Sequence, residues 1–214
     1  MITTYLYTKS LSSELISHIK ELYGNIVLEK YDEEVLKIIV DEYDVDTTLG
    51  MKENFMADFY LNPSVFIAPK LLSEEITFEI IQFIKNLKSD LYKISDIIIQ
   101  AFMKNRKIIK DLKQYYENLF HTETIETVLG FLENDSSASK TADKMFMHRN
   151  TVNYRIDNFV STTGINIRKF KEGVSIYLLL KYWFLCNMYI YIFTIILYNL
   201  ACKIYFSGGN KWLL

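Results

Sequence analysis

The sequence predicts an α+β chain that is mostly α: a small mixed α/β region at the N-terminus, a long helical connector, and a C-terminal helix-turn-helix bundle. Three observations carry that reading. Short apolar runs bounded by turn residues fall within the first 70 residues. From Ser73 onward, apolar residues recur at helical spacing. Near residue 140 a short helical run and a longer one are separated by a few residues, with Ala142 ten positions before Val152. Half of the 214 residues are apolar, enough for a sizeable core and far from the composition of a disordered chain.

In chain order, Leu11, Leu15, Ile19 and Leu22 place a helix over 11–23, with Gly24 as its C-terminal stop. Asn25–Leu28 and Val35–Val40 are short strand candidates. Residues 47–60 are predicted helical from Thr48, with Leu49, Phe55, Met56 and Phe59 on one side. Ser64–Ala68 (SVFIA) follows Asn62-Pro63, is closed by Pro69, and is predicted as a buried strand. Ser73 opens a helix with Glu75 and Ile76 in its first turn and Ile80, Phe83, Ile84 and Leu87 along its apolar side. A second helical run covers about 89–118, through Ile94, Ile98, Ala101, Phe102, Ile109 and Leu112.

The C-terminal half is the more specific. Thr122–Leu132 carries Ile125, Val128, Leu129 and Leu132 on one face. Asn134-Asp135-Ser136-Ser137 is a turn, and Ser137 is the N-cap of a short helix near 138–145 whose inward residues are Ala138, Ala142 and Met145. Phe146–His148 connect it to a helix that starts near Arg149, buries Val152, Ile156, Phe159 and Val160, and stops at Gly164. A small residue at 142 lets two steeply crossing helices approach closely. Many such units place Gly in the turn, where Phe146 stands here.

Charge follows the same division. Residues 1–120 carry 14 Lys/Arg against 19 Asp/Glu, whereas residues 137–171 carry seven against two. Lys outnumbers Arg twenty to four, yet Arg149, Arg155 and Arg168 all lie in or just after the helical pair. A basic module on an otherwise acidic chain is the electrostatic footprint of nucleic-acid binding. No glycine-rich phosphate loop, HExxH or Ser/Cys nucleophile motif occurs, so neither an enzyme nor a cofactor is expected. The acidic run Asp41, Glu42, Asp44, Asp46 lacks the Gly and distant Glu of a calcium loop and reads as a solvated loop. His18 is expected to be solvated. Cys186 and Cys202 have no His near enough for a zinc pattern, so no metal site and a reducing compartment are expected. The N-terminal run MITTYLYTKSLSSEL lacks a charged segment followed by an apolar core, which points to a cytoplasmic location.

The groups turned outward on the second helix are Asn150, Thr151, Asn153, Tyr154 and Arg155, with His148 and Arg149 at its start. Arg pairs bidentately with guanine and Asn with adenine, while hydroxyls and helix N-terminal amides donate to phosphate oxygens. Lys140, Thr141 and Lys144 on the preceding helix complete the predicted interface with double-stranded DNA. The alternative is a helical protein–protein interaction module, membrane-associated through its apolar tail.

The stretch TVLGFLENDSSASKTADKMFMHRNTVNYRIDNFVSTTGINI resembles the C-terminal helix-turn-helix domain of PucR/sugar-diacid-regulator transcription factors of bacteria. The resemblance lies in Thr141-Ala142, in the run His148-Arg149-Asn150-Thr151-Val152, in Tyr154-Arg155-Ile156, and in Gly164 closing the helix. It covers about 60 residues, a little over a quarter of the chain, and HRNTVNYRI is its most specific part. It implies a transcriptional regulator with its DNA-binding module at residues 119–185 and a sensory or dimerising region at 1–118. That region resembles a reduced nucleotide-cyclase-like α/β domain, which implies a small-molecule effector there. A homodimer formed through the long helices near 73–118 would hold two recognition helices about 34 Å apart for a palindromic operator.

Tyr182–Cys202 is 21 residues without a charge, flanked by Lys181 and Lys203. On length alone it is a transmembrane candidate, but Val174–Leu185 stands where the family has a final helix packed on the helix-turn-helix. For residues 186–214 three readings stand side by side: a membrane anchor, a helix folded back on the protein or a partner, and a frame-shifted tail.

Overall fold

Alternation along β1 (Ile2–Tyr7) organises the N-terminal half. Leu6 lies in register with Leu36 of β3 (Val35–Val40) and Val65 of β4 (Ser64–Ala68), and all three face α1 (Ser13–Tyr23), which contributes Leu15 and Ile19. Tyr5, pointing the other way, joins Phe66, Ala68 and Tyr92 in the main core. With β2 (Val27–Lys30) and β5 (Leu91–Lys93) the strands form one sheet in the order β2-β3-β1-β4-β5. All its pairs are antiparallel except β4 with β5. The computed structural model describes residues 2–9, 11–23, 26–40, 60–69 and 71–182, together with Gly50, 52–53 and 56–57.

Seven further helices with both ends among the described residues follow: α2 (Glu74–Ile84), α3 (Ile94–Lys104), α4 (Arg106–Leu119), α5 (Thr122–Glu133), α6 (Ala138–Lys144), α7 (Arg149–Thr163) and α8 (Phe170–Lys181). Short polar side chains set several starts: Ser12 Oγ accepts from the Leu15 amide, Ser73 Oγ from Ile76, and Asn105 Oδ1 from Ile108. A continuous apolar core runs from the sheet through α2, α3 and α4 into the C-terminal helices. Helix α3 packs along α8, and α4 brings Tyr116 beside Phe159 of α7. The chain is therefore α+β and mostly α, as its sequence predicts.

The differences are local. β1 and β5 are not among the elements predicted from sequence: β1 is polar enough (Thr3, Thr4) to escape an apolar-run criterion, and β5 has three residues. The helical run over 89–118 is β5 followed by two helices, because the backbone at Asn105 turns extended (φ −143°, ψ 90°) to end α3 and cap α4. The first strand candidate, Asn25–Leu28, is displaced to Val27–Lys30, with Asn25 outside the described residues. His18 is half-buried rather than solvated. Gly24, the acidic run at 41–46, most of the helix predicted over 47–60, and residues 183–214 lie outside the described residues. No helix among the described residues is long and apolar enough to cross a membrane.

Candidate nucleic-acid interface

Helices α5 to α8 assemble around one buried stripe. On α7, Val152, Ile156 and Phe159 are fully buried and Val160 half-buried, the face predicted from their spacing. On α6, Ala142 is buried against it, with α6 packed on α7. Gly130 of α5 permits a close approach: a Cβ there would meet Met145 Sδ at 2.8 Å. The turn before α6 uses Asp135 and Ser136 in the left-handed region, and Ser137 Oγ accepts from the Lys140 amide as the expected N-cap.

The connection from α6 to α7 is a Schellman-type stop. The Met147 amide donates to the Ala142 carbonyl at 3.0 Å, and Phe146 occupies the left-handed position between them, φ 52°. Glycine is the usual occupant of that position, since a side chain there crowds the following carbonyl. Phe146 is also 97% exposed, so no packing compensates for it.

Helix α7 begins with His148 as N-cap, its Nδ1 accepting from the Asn150 amide at 3.2 Å. An accepting Nδ1 leaves the proton of a neutral ring on Nε2, as an outward donor. Arg149, Asn150 and Thr151 follow, all exposed; among the described residues Arg149 has no acidic partner. Asn153 is half-buried and Tyr154 exposed. Lys140 and Lys144 are exposed on α6, Lys140 pairing with Asp135 at 2.6 Å. Gly164, φ 73°, ends the helix, its amide donating to the Val160 carbonyl.

Two predicted contact residues sit elsewhere. Thr141 is fully buried and its hydroxyl donates to the Ser137 carbonyl at 2.8 Å, so this side chain is committed within α6. Arg155 turns back to α5, where it pairs with the Glu123 carboxylate and donates to Thr127 Oγ1 at 3.1 Å. Its side chain is only 21% exposed. More than one turn of helix thus separates the exposed groups, Arg149 to Thr151, from the residue that clamps α7 to α5. Spacing alone did not distinguish them, because Glu123 is 32 residues distant in sequence.

Comparison with known proteins agrees with this geometry. Residues 124–182 match the family model of the PucR C-terminal helix-turn-helix domain. The chain is 38% identical over 68 residues to uncharacterized protein YxkF of Bacillus subtilis (strain 168), covering 31% of this chain and 23% of that protein. It is 33% identical over 57 residues to the proline-responsive transcriptional activator PutR of the same organism, covering 27% of this chain and 14% of the activator. The match therefore spans less than a quarter of the length of either curated relative. Among solved structures, a regulator of polyketide synthase expression from Bifidobacterium adolescentis is similar at 15% identity and a TM-score of 0.39, over 83% of this chain and 77% of that chain.

Proposed function

From a chain whose residues 124–182 form a PucR-type helix-turn-helix domain, we propose a DNA-binding transcriptional regulator that sets the N-terminal end of α7 in the major groove. One observation carries the reading: α7 buries Val152, Ile156 and Phe159 while exposing Arg149, Asn150 and Thr151 at its first turn. There a guanidinium and a carboxamide meet base edges, and the Thr151 hydroxyl meets phosphate. Lys140, Lys144 and His148 Nε2 supply backbone contacts that position the helix without reading sequence. Asn153 and Tyr154 flank the reading groups. We assign residues 119–185 to this role. Residues 1–118 hold two copies together on a palindromic operator and take a small-molecule effector.

The test is retention of duplexes from a random-sequence pool by the full chain, followed by measurement on the selected duplexes. Retention is expected to fall steeply with salt. Arg149→Ala and Asn150→Ala should each remove the preference for selected over random duplexes, about tenfold or more. Lys140→Ala or Lys144→Ala should weaken both equally and reduce the salt slope by roughly one. Absence of salt-sensitive retention of any duplex would instead favour a protein–protein interaction module.

A further inference from the structure

Phe146 is unfavourable twice over as a free surface residue: its backbone is left-handed and its ring is 97% exposed. The chain on either side is anchored. Met145 packs against Gly130 of α5, and Met147 is half-buried on the main core with its amide bonded to Ala142. The ring between them has one direction left, outward, two residues before the N-cap His148 and three before Arg149. It therefore stands at the same end of α7 as the groups assigned to base reading, two residues after exposed Lys144.

We propose that Phe146 is an apolar DNA contact, placed by the α6–α7 turn against the edge of the groove that Arg149 enters. This rests on the DNA-binding reading above. Duplex DNA offers two apolar surfaces at that edge, the thymine 5-methyl group and the face of a deoxyribose; aromatic side chains use the former for direct readout. An apolar contact also accounts for a side chain with no charge standing in a basic surface. It adds affinity without neutralising a phosphate, so it leaves the salt dependence alone.

The experiment compares the full chain with its Phe146→Gly and Phe146→Leu variants on duplexes selected from the random pool. Each duplex is also made with thymine replaced by uracil. Glycine suits the left-handed turn, so Phe146→Gly is expected to melt no lower than the parent chain. It is nevertheless expected to bind about fivefold or more weakly, with the salt slope unchanged, and Phe146→Leu is expected to recover part of the loss. If the parent chain loses affinity on uracil duplexes and Phe146→Gly does not, the contact is the thymine methyl. If Phe146→Gly binds more weakly on both kinds of duplex alike, the contact is the deoxyribose. Equal or tighter binding by Phe146→Gly, with the parent chain still binding, overturns the inference and leaves the regulator reading standing. No binding by the parent chain overturns both.

Discussion

Two arginines six residues apart on one helix have different surroundings, and free energies separate the roles proposed for them. Arg155 gives its guanidinium to the Glu123 carboxylate and Thr127 Oγ1. Arg155→Ala should lower stability by about 1 kcal/mol, the usual worth of one partly exposed ion pair plus a hydrogen bond. Thermal melting reads that loss, while the ratio of selected to random duplex binding should stay constant. Arg149→Ala should do the reverse: melting shifts by less than about 0.5 kcal/mol, as for an exposed side chain without partners, and the ratio collapses. Phe146 makes a second case at this scale. Relief of a left-handed side chain is worth roughly 1–2 kcal/mol, and the extra chain entropy of glycine takes back roughly 0.5–1. Phe146→Gly should therefore stabilise by about 0.5–1 kcal/mol, a rise in melting temperature of about 2 °C in a chain of this size. A fall in melting temperature would mean that the exposed ring packs in solution.

At the scale of elements, legibility followed the length of the periodic signal. The stripe Val152, Ile156, Phe159 persists over two turns and was readable, as were the caps Ser73, Ser137 and Gly164, whose chemistry is local. β5 and the Asn105 break were not, because three residues carry no period and an Asn in a helical pattern is ambiguous until tertiary contacts choose. The inward turn of Arg155 was likewise decided by α5, not by its own helix. Nor did the sequence disclose the clamp at the sheet edge. Lys85, just past α2, reaches Asp32 at 2.9 Å and Glu34 at 3.0 Å in the β2–β3 turn, with its ammonium 5.6 Å from the Tyr7 ring. Burial works to raise the Asp32 pKa, but hydrogen bonds from Lys85 and the Glu34 amide outweigh it and hold it below the ordinary value. A carboxylate whose folded pKa is lowered stabilises above its unfolded pKa, and that contribution disappears as pH falls through the folded one. Stability should therefore decline below about pH 4, and Lys85→Met should flatten that acid limb. At neutral pH the same variant should lose no more than about 1 kcal/mol, since the pair is partly solvated. Denaturant midpoints measured across pH for both proteins check this; parallel acid limbs would show that Asp32 is not the group responsible.

For the whole molecule, the question is whether the helix-turn-helix stands alone. Sequence resemblance ends near residue 120, and a fragment starting at 119 is the natural first choice for a DNA-binding domain. The packing argues otherwise. Ile97, Ile98 and Ala101 of α3 and Ile109, Leu112 and Tyr116 of α4 are all buried in the core that also contains Phe159, Ile176 and Leu179. Beyond that, Lys171 at the start of α8 pairs with Asp96 at the start of α3. Removing α3 and α4 withdraws six buried side chains at roughly 1.5–3 kcal/mol for each large one. The total is on the order of 10 kcal/mol as an upper bound, comparable with the whole stability of a typical domain. A fragment of residues 119–182 should therefore bind a hydrophobic dye and melt without a cooperative transition. Residues 94–182, which keep α3 and α4, should melt cooperatively and retain salt-sensitive duplex binding. In the full chain, Phe66→Ala in the sheet and Ile156→Ala in α7 should each lower one shared midpoint, because a single core joins them. Two separate transitions, each shifted by only one of the substitutions, would instead divide the molecule at the boundary its sequence suggests. A change at the sheet could then reach α7 only through the connecting segment, whereas a shared core lets it bias the position of α7 directly, through α3 and α8.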